Sequence, residues 1–377
     1  MIAPHNLYLH VPYCSSKCNY CAFYSVACNP DWAAFAAAAI RDIKYWGAQL
    51  KHCAAPTVFF GGGTPSLMPT EIFAQIMDAV RESFAVAANA EITLESNPGT
   101  LDPPSLRYGA ASATRLREFI AHGVNRLSVG VQSLDDTVLK FLGRGHNARA
   151  ARDLIGAAHD AGIRVSGDFI YALPGQTVQD AEKMCRDILE LGLRHVSLYE
   201  LSIEPGTPFA AQNLQTQIPD NGTVAEMYQV IGEILAPSLS RYEISNYAAP
   251  GHECRHNANI WAGQPYVGIG PSACGRVLID GVWYEQAEPK NTKEWLERTP
   301  VGANNYLPLQ SNTRATEIIM TGLRTMRGVV ITPEIREVIN WDFVQKNPDY
   351  FIPTNDSLCM TQNGILILDN LLVDLIW

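Results

Sequence analysis

Short apolar runs alternate with longer amphipathic stretches over the first two thirds of the chain. Apolar runs rich in β-branched and aromatic residues predict strands, and helical stretches between them are typical of βα units that build a parallel sheet. The predicted strands are Asn6 to Val11, Thr57 to Phe60, Glu91 to Glu95, Arg126 to Val131, Ile163 to Tyr171 and His195 to Leu201. Six strands are too few to close an eight-stranded barrel. The pattern therefore predicts an α/β fold with a partial (β/α)6 barrel.

Amphipathic helices are predicted in the connections at Trp32 to Gln49, Pro69 to Ser83 and Thr177 to Leu191. From about Gly206 the alternation ends in a stretch rich in Pro, Gly and Asn. The last part of the chain has a helical pattern, with a final amphipathic stretch from Asn363 to Trp377. These changes predict a barrel domain over residues 1–205, a connecting region over 206–280 and a smaller, mainly helical C-terminal domain over 281–377.

Composition limits the partners and the location of the protein. The 377 residues are 47% hydrophobic and 18% charged, as in ordinary globular proteins, and the formal net charge is −10. We expect no nucleic-acid partner, because an acidic chain offers no broad basic surface. No apolar run reaches the about 18 residues that span a bilayer. Nine cysteines, an odd number, favour a reducing cytoplasm over a disulfide framework. We expect a cytoplasmic protein and leave peripheral membrane association open.

A CxxxCxxC motif, formed by Cys14, Cys18 and Cys21, follows the first predicted strand. Three thiolates can hold a 4Fe-4S cluster by three of its irons, which leaves the fourth iron open. An open metal position indicates chemistry at the metal, by the logic that separates catalytic from structural zinc sites. Zinc itself is the alternative, because the same three sulfurs and His10 would make a four-ligand site.

Polar residues also follow the other predicted strands. The loop Gly61-Gly62-Gly63-Thr64-Pro65 comes directly after a strand, and glycines there let the backbone approach a ligand closely. Glu95 ends the third strand, Gln132 follows the fourth and Asp168 lies in the fifth. In a parallel barrel such residues meet at one face, where active sites form. Each one alone is also compatible with a tight turn or a solvated strand end.

On these residues the chain resembles the radical S-adenosylmethionine (SAM) enzymes, and among them the coproporphyrinogen oxidase group, from about Leu7 to the C-terminus. The resemblance implies that Cys14, Cys18 and Cys21 bind a 4Fe-4S cluster. The open iron would chelate the amino and carboxylate groups of SAM. One electron from the cluster would then cleave the sulfonium to a 5'-deoxyadenosyl radical.

The resemblance implies roles for further residues. Tyr8, six residues before the first cysteine, would lie beside SAM, and Glu95 would hold the ribose. The glycine loop would run along the methionyl group through Gly62, Gly63 and Thr64. The positions that complete the family set are Tyr20, Gln132, Arg144 and Asp168. In the oxidases of the group the last three help to hold a second SAM, and an arginine and a carboxylate suit its charged ends.

Within the group, three features are similar to the haem-chaperone branch, HemW, rather than to the oxidases, HemN. Phe23 stands where the oxidases have a further cysteine, and only thirteen residues precede Cys14, where the oxidases carry a long extension. The segment His256-Asn257-Ala258-Asn259-Ile260-Trp261 resembles an HNxxYW motif of the chaperones. The resemblance implies a chaperone that binds haem, a 4Fe-4S cluster and SAM, and delivers haem to acceptor proteins such as respiratory enzymes.

Two other functions stay open at this point. One is an oxygen-independent coproporphyrinogen III dehydrogenase, which decarboxylates two propionates to vinyl groups. The other is a zinc protein without a redox role. Consumption of SAM is also open, because in HemW the cluster and SAM can serve homodimerisation and haem release instead of turnover.

The chain departs from the family pattern at three places. Ile260 replaces the tyrosine of HNxxYW, Cys274 stands where the family usually has histidine, and the helix around Arg107 to Thr114 is longer than usual. A longer surface loop costs little entropy. Axial haem ligands are neutral imidazoles or thiolates, so Cys254, Cys274 and above all His256 are candidates, with a structural role in a turn as the alternative for His256. No CxxCH motif is present, so covalent haem attachment is not expected.

Overall fold

The protein is described by a computed structural model that covers residues 3–101, 110–298 and 306–376. Its strands, numbered along the chain, are β1 (Asn6–Val11), β2 (Tyr13–Cys14), β3 (Val26–Ala27), β4 (Ala54–Gly62), β5 (Ala85–Ser96), β6 (Arg126–Gln132), β7 (Arg164–Tyr171), β8 (His195–Glu200), β9 (Ser240–Arg241), β10 (Asn246–Ala248), β11 (Tyr266–Ile269), β12 (Cys274–Ile279), β13 (Val282–Ala287), β14 (Tyr306–Pro308), β15 (Val329–Val330), β16 (Phe351–Pro353) and β17 (Ser357–Met360).

The main sheet of the described chain has 12 strands in the order β14-β13-β12-β11-β1-β4-β5-β6-β7-β8-β10-β9. The strands from β11 to β8 in this order are parallel, and antiparallel strands flank them on both sides. All six predicted strands are present, and the predicted α/β fold is confirmed. Strand β5 begins six residues before the predicted start, because its small residues Ala85 and Ala87 to Ala88 give little strand pattern.

The helices are α1 (Trp32–Gln49), α2 (Thr70–Ser83), α3 (Ala110–Ala121), α4 (Asp136–Phe141), α5 (Ala148–Asp160), α6 (Val178–Leu189), α7 (Pro208–Ala211), α8 (Asn221–Leu235), α9 (Arg255–Trp261), α10 (Thr292–Glu297), α11 (Ser311–Gly322), α12 (Pro333–Val338), α13 (Trp341–Lys346), α14 (Gln362–Leu366) and α15 (Leu368–Leu375). Helix α1 begins where the Asp31 side chain accepts a hydrogen bond from the Ala34 amide, as a helix cap does. It has the predicted bounds. None of the helices within the described ranges is long and apolar enough to cross a membrane.

The parallel strands carry different residues on their two faces. One face is apolar and packs against the helices in a continuous core, with members such as Leu7, Phe60, Leu94, Val129 and Phe169. The alternating positions carry polar side chains that are also buried, among them Asn6, Glu91, Thr93, Arg126, Ser128, Ser166, His195 and Ser197. Since buried polar groups require partners, this inner face must satisfy them internally or with a ligand.

A second hydrophobic core, with members from Ala315 to Leu375, is formed by helices α11 to α15 and the small sheet β15-β17-β16. The final amphipathic pattern forms two helices, α14 and α15. They meet at Ile367, where the backbone leaves the helical region with φ −125° and ψ 21°. Trp377 and residues 102–109 lie outside the described residues, and with them the first three residues of the predicted longer helix around Arg107 to Thr114. The predicted domain limits stay a prediction, and the limit at 280/281 falls in the turn between β12 and β13.

The segment that resembles HNxxYW forms helix α9, which Glu91 of strand β5 anchors. The carboxylate of Glu91 accepts hydrogen bonds from the backbone N–H of Arg255 at 3.1 Å and of His256 at 2.9 Å, and pairs with Arg164 at 3.0 Å. Burial pushes the pKa of Glu91 upward, but Arg126, the two amides and Arg164 outweigh it, so the pKa is lowered. A carboxylate of another strand thus caps the helix from the sheet interior.

Replacement of Glu91 by Gln should lower the free energy of unfolding by about 1 to 3 kcal/mol at neutral pH, because it leaves a buried cation and two helix amides under-compensated. The pKa of Glu91 is depressed, so its stabilisation is present above the ordinary pKa of 4.5 and is lost as the pH falls through the folded value. The difference between parent and variant in urea unfolding should therefore shrink in acid. Exposed Glu226→Gln is the matched control, and an equally small change in both variants would contradict the anchoring role.

Candidate functional site

A cavity of about 910 Å³ opens at the carboxyl ends of strands β4 to β8, where the polar residues were expected to meet. It is lined by the three motif cysteines and by most of the other predicted site residues: Tyr20, Gly62, Gly63, Thr64, Glu95, Gln132, Arg144 and Asp168. Tyr8 and His256 do not line it. The barrel geometry thus brings nearly all predicted positions to one place, although they come from segments far apart in sequence.

The cysteine motif forms one wall of the cavity. The Thr64 hydroxyl points at Cys14 Sγ at 3.6 Å, and Arg144 Nη1 donates to Cys18 Sγ at 3.3 Å. Burial raises the pKa of the Cys14 and Cys21 thiols. Thiolates at these positions therefore need a positive partner, which a bound metal centre supplies.

The three cysteines fit a cluster better than a zinc ion. Both ring nitrogens of His10 are engaged, because Nε2–H donates to the carbonyl of Tyr24 at 2.9 Å and Nδ1 accepts the Tyr8 hydroxyl at 3.0 Å. His10 therefore cannot serve as the fourth zinc ligand without breaking both bonds. Across the described ranges, no three His, Cys, Asp or Glu side chains converge on one ion. A cluster binds its thiolates at three separate irons, so they need not converge on one point.

The glycine loop lies against the start of the cysteine motif. The N–H groups of Gly63 and Thr64 donate to the carbonyls of Val11 and Tyr13, both at 2.8 Å. A Cβ atom at Gly63 would come within 2.7 Å of the Tyr13 carbonyl oxygen, and at Gly62, where φ is +112°, within 2.6 Å of the His10 ring. Only glycine fits here, so bare backbone faces the cavity.

Tyr8 lies behind this loop rather than on the cavity wall. A Cβ atom at Gly61 would be 3.0 Å from the Tyr8 ring, and the Tyr8 hydroxyl is committed to His10. Burial and the nearby Glu95 raise the pKa of Tyr8, so it stays a neutral donor. Tyr8 packs against the glycine loop and does not line the cavity. A direct contact between Tyr8 and SAM stays a prediction.

Two carboxyl groups face the cavity from strands β5 and β7, which are separated by β6 in the sheet. Glu95 accepts a hydrogen bond from the Gly62 amide at 3.1 Å, and Asp168 accepts one from Ser128 at 3.0 Å. Burial and the Asp168 carboxylate raise the pKa of Glu95 to about 8. Burial likewise raises the pKa of Asp168, despite hydrogen bonds from serines. The pair therefore favours a positively charged ligand, which would let both groups ionise.

Arg144 connects the cysteine motif to the strand ends. Besides Cys18, it donates to the Tyr20 hydroxyl at 3.4 Å and to the Gly130 carbonyl at 2.8 Å, and it contacts the Asn97 side chain. Its Nε atom is buried and has no partner among the described residues. Arg144 is thus largely committed to the wall, with Nε as its remaining donor.

Sequence reasoning missed several residues of the site. Asn97 donates to Thr64 at 3.1 Å, and its position two residues after Glu95 was the available indication. Arg126 is almost fully buried, and its positive charge offsets part of the rise in the pKa values of Glu95 and Asp168. The sequence signal for Arg126 was a charged residue at the first position of an otherwise apolar strand. Tyr199 and Glu200 at the end of β8 also line the cavity.

His256 lies inside the molecule, away from the cavity. It is 3% exposed, its Nδ1 is 2.8 Å from the Thr57 hydroxyl and its ring stacks on Phe59 with 4.9 Å between centroids. Burial lowers the pKa of His256 to about 4, so the ring is neutral. Of the other haem-ligand candidates, Cys254 is buried beside Glu91 and Cys274 is exposed. Haem ligation by His256 stays a prediction, which its enclosure does not favour.

Comparison with known proteins agrees with this geometry. The model of the Radical SAM superfamily matches residues 8–188. The solved structure of coproporphyrinogen III oxidase (HemN) from Escherichia coli superimposes with a TM-score of 0.79 at 20% identity, over 98% of this chain and 89% of that one. The fold is therefore that of a radical SAM protein, and this class implies a 4Fe-4S cluster and SAM as cofactors.

Curated relatives narrow the class further. The chain is 31% identical to the heme chaperone HemW of Escherichia coli (strain K12) over 98% of both chains. It is 35% identical to the mitochondrial radical S-adenosyl methionine domain-containing protein 1 of Bos taurus over 86% of this chain and 74% of that one. The chain belongs to the HemN/HemW group of radical SAM proteins.

SAM affinity should rise with pH through the titration of Glu95. SAM carries a net positive charge, so it binds best to the ionised carboxylate. Below the pKa of about 8 its binding must therefore release a proton, and the affinity should change by up to about tenfold per pH unit. Equilibrium binding between about pH 6 and pH 9 checks this. Glu95→Gln should flatten the pH dependence of SAM affinity, and the exposed control Glu82→Gln should leave it unchanged. If SAM affinity in Glu95→Gln changed with pH as steeply as in the parent, Glu95 would not be the group that titrates on SAM binding.

Proposed function

We propose that this protein is a haem chaperone that binds haem, a 4Fe-4S cluster and SAM, and transfers haem to acceptor proteins. The observation that carries the proposal is the similarity to the heme chaperone HemW over nearly the full length of both chains. The solved HemN structure supports the fold alone, because its identity is low.

In this proposal the cavity holds the two cofactors. Cys14, Cys18 and Cys21 provide three thiolates, and a cluster bound there supplies one electron at an iron that no protein residue ligates. Thr64 and Arg144 stabilise the thiolates through their contacts with Cys14 and Cys18. The positive guanidinium of Arg144 also offsets part of the negative charge that accumulates on this wall.

Other cavity residues position SAM. The backbone of Gly62 and Gly63 offers a surface without side chains for the methionyl group, and Thr64 borders it. Glu95, fixed by the Gly62 amide, accepts hydrogen bonds from ribose hydroxyls. Asp168 places a negative charge near the sulfonium and ammonium groups. Tyr20, Gln132 and Arg144 border the same space.

The charge of the cavity argues against coproporphyrinogen as substrate. Coproporphyrinogen III carries four carboxylates, and its binding requires cationic side chains. The described lining contains the acids Glu95, Asp168, Glu200 and Glu204. Its cations are Lys17 and the already committed Arg144. Haem has half as many carboxylates and a larger apolar fraction, so it suits this wall better.

Delivery of haem also needs partners. Acceptor proteins such as respiratory enzymes, a homodimer, peripheral contact with a membrane and a cytoplasmic location are parts of the proposal that come from the family resemblance. The net charge of −10 supports the expectation that nucleic acid is not among the partners.

Anaerobically prepared protein should contain about four irons and four sulfides per chain. Replacing Cys14, Cys18 or Cys21 by Ala should abolish the broad absorption of the cluster, because two thiolates cannot hold it. Cys28→Ala is the matched control, since Cys28 is exposed and lies just outside the motif. Stoichiometric zinc in place of iron, or a cluster that survives loss of a motif cysteine, would refute the assignment.

Haem binding without decarboxylation separates the chaperone from the enzyme. Titration of the reconstituted protein with hemin should give a dissociation constant in the micromolar range or tighter, about −8 kcal/mol. The same sample, with SAM and a reductant, should leave coproporphyrinogen III unchanged. The readouts are the Soret absorption and chromatography of the porphyrin products. Formation of protoporphyrinogen would contradict the chaperone function and favour a coproporphyrinogen III dehydrogenase.

A further inference from the structure

One histidine among the described residues lines the cavity, and no role has been given to it so far. This residue is His146, which lies two residues after Arg144 and just before helix α5. It is buried, and its Nε2 lies 3.2 Å from the carbonyl oxygen of Val131. A carbonyl only accepts, so Nε2 carries the proton and Nδ1 carries a lone pair. Within the described chain, Nδ1 has no hydrogen-bond partner.

This arrangement is the one that metal-binding histidines adopt. Their second ring nitrogen usually donates to a carbonyl or a carboxylate, which fixes the tautomer and the ring orientation. Burial and the neighbouring Arg144 lower the pKa of His146 to about 4. The ring is therefore neutral at physiological pH, and protons do not compete with iron for the lone pair.

The cavity also offers apolar surface for a flat ligand. Phe23, in the position of the oxidases' further cysteine, is 72% exposed, and Tyr199 at the end of β8 is 43% exposed. Both border the same cavity, together with Ile170 and Leu201. Exposed aromatic rings favour stacking with a planar conjugated ligand.

His256 lacks these surroundings. Its Nδ1 is bound to Thr57 and its Nε2 is enclosed without a partner, in a part of the sheet interior that does not border the cavity. A macrocycle cannot reach this nitrogen without opening the packing of Phe59 and helix α9. His146 differs because its lone pair belongs to a residue of the cavity wall.

We propose that His146 is the axial ligand of the haem iron, with the macrocycle bound in the cavity against Phe23 and Tyr199. This inference rests on the proposed function, since it names the cargo site of the same protein. The propionates then point to the open rim, where Lys17 is the nearby cation of the described lining. The buried acids Glu95 and Asp168 disfavour the propionates in the deeper part of the site.

Hemin titration of the full chain, followed in the Soret region, tests the inference. His146→Gln keeps an N–H donor for the Val131 carbonyl but removes the imidazole, so it should shift the Soret band and weaken hemin binding about tenfold or more. In His146→Ala, added imidazole should restore the parent spectrum. The matched controls are His159→Ala, an exposed position on helix α5, and His256→Ala, and both should keep the parent spectrum.

The outcomes separate this inference from the proposed function. If the parent chain binds no hemin, the proposed function fails and the inference fails with it. If the parent binds hemin and His146→Gln has an unchanged Soret band and affinity, the inference alone is wrong. Loss of the parent spectrum in His256→Ala, with His146→Gln unaffected, would assign the iron to the HNxxYW-like helix instead.

Discussion

Glu95 and Asp168 share one cavity, with the almost fully buried guanidinium of Arg126 as the cation that acts on both. Burying charge is costly unless it is paired, and the polar inner face of the sheet contains several charges. Glu91 is satisfied by Arg164 and by the amides of helix α9. The two cavity carboxyls have less compensating charge, so burial raises the pKa of both, and a cationic ligand would favour their ionised forms.

The cavity and the cysteine motif form a single unit. Arg144 contacts Cys18 and Tyr20 on the motif and the Gly130 carbonyl on strand β6. Thr64 contacts Cys14, while its backbone is fixed to Tyr13. A group that binds the cysteines would therefore contact the same side chains that border the proposed SAM site. In the proposed function, these shared contacts would couple the cluster and SAM directly.

The sequence predicted the local features well. Strand β1 and helix α1 have the predicted bounds, because their patterns are uninterrupted. Most of the predicted site residues line the cavity, because they follow parallel strands. The hairpin β12–β13 was missed although Asp280-Gly281 indicates a tight turn there, with φ of 46° and 87°. The pairings of Arg126 and the enclosure of His256 by Thr57 could not be predicted, since they depend on which strands become neighbours.

The central claim is that three cysteines hold a cluster whose open iron binds SAM in this acidic cavity. Electron paramagnetic resonance of the anaerobically reduced protein, recorded with and without SAM, tests it most directly, because a ligand at the open iron changes the g values of the cluster. We expect a shifted spectrum with SAM, and a smaller shifted fraction in Glu95→Gln at the same SAM concentration. Identical spectra with and without saturating SAM would contradict the claim.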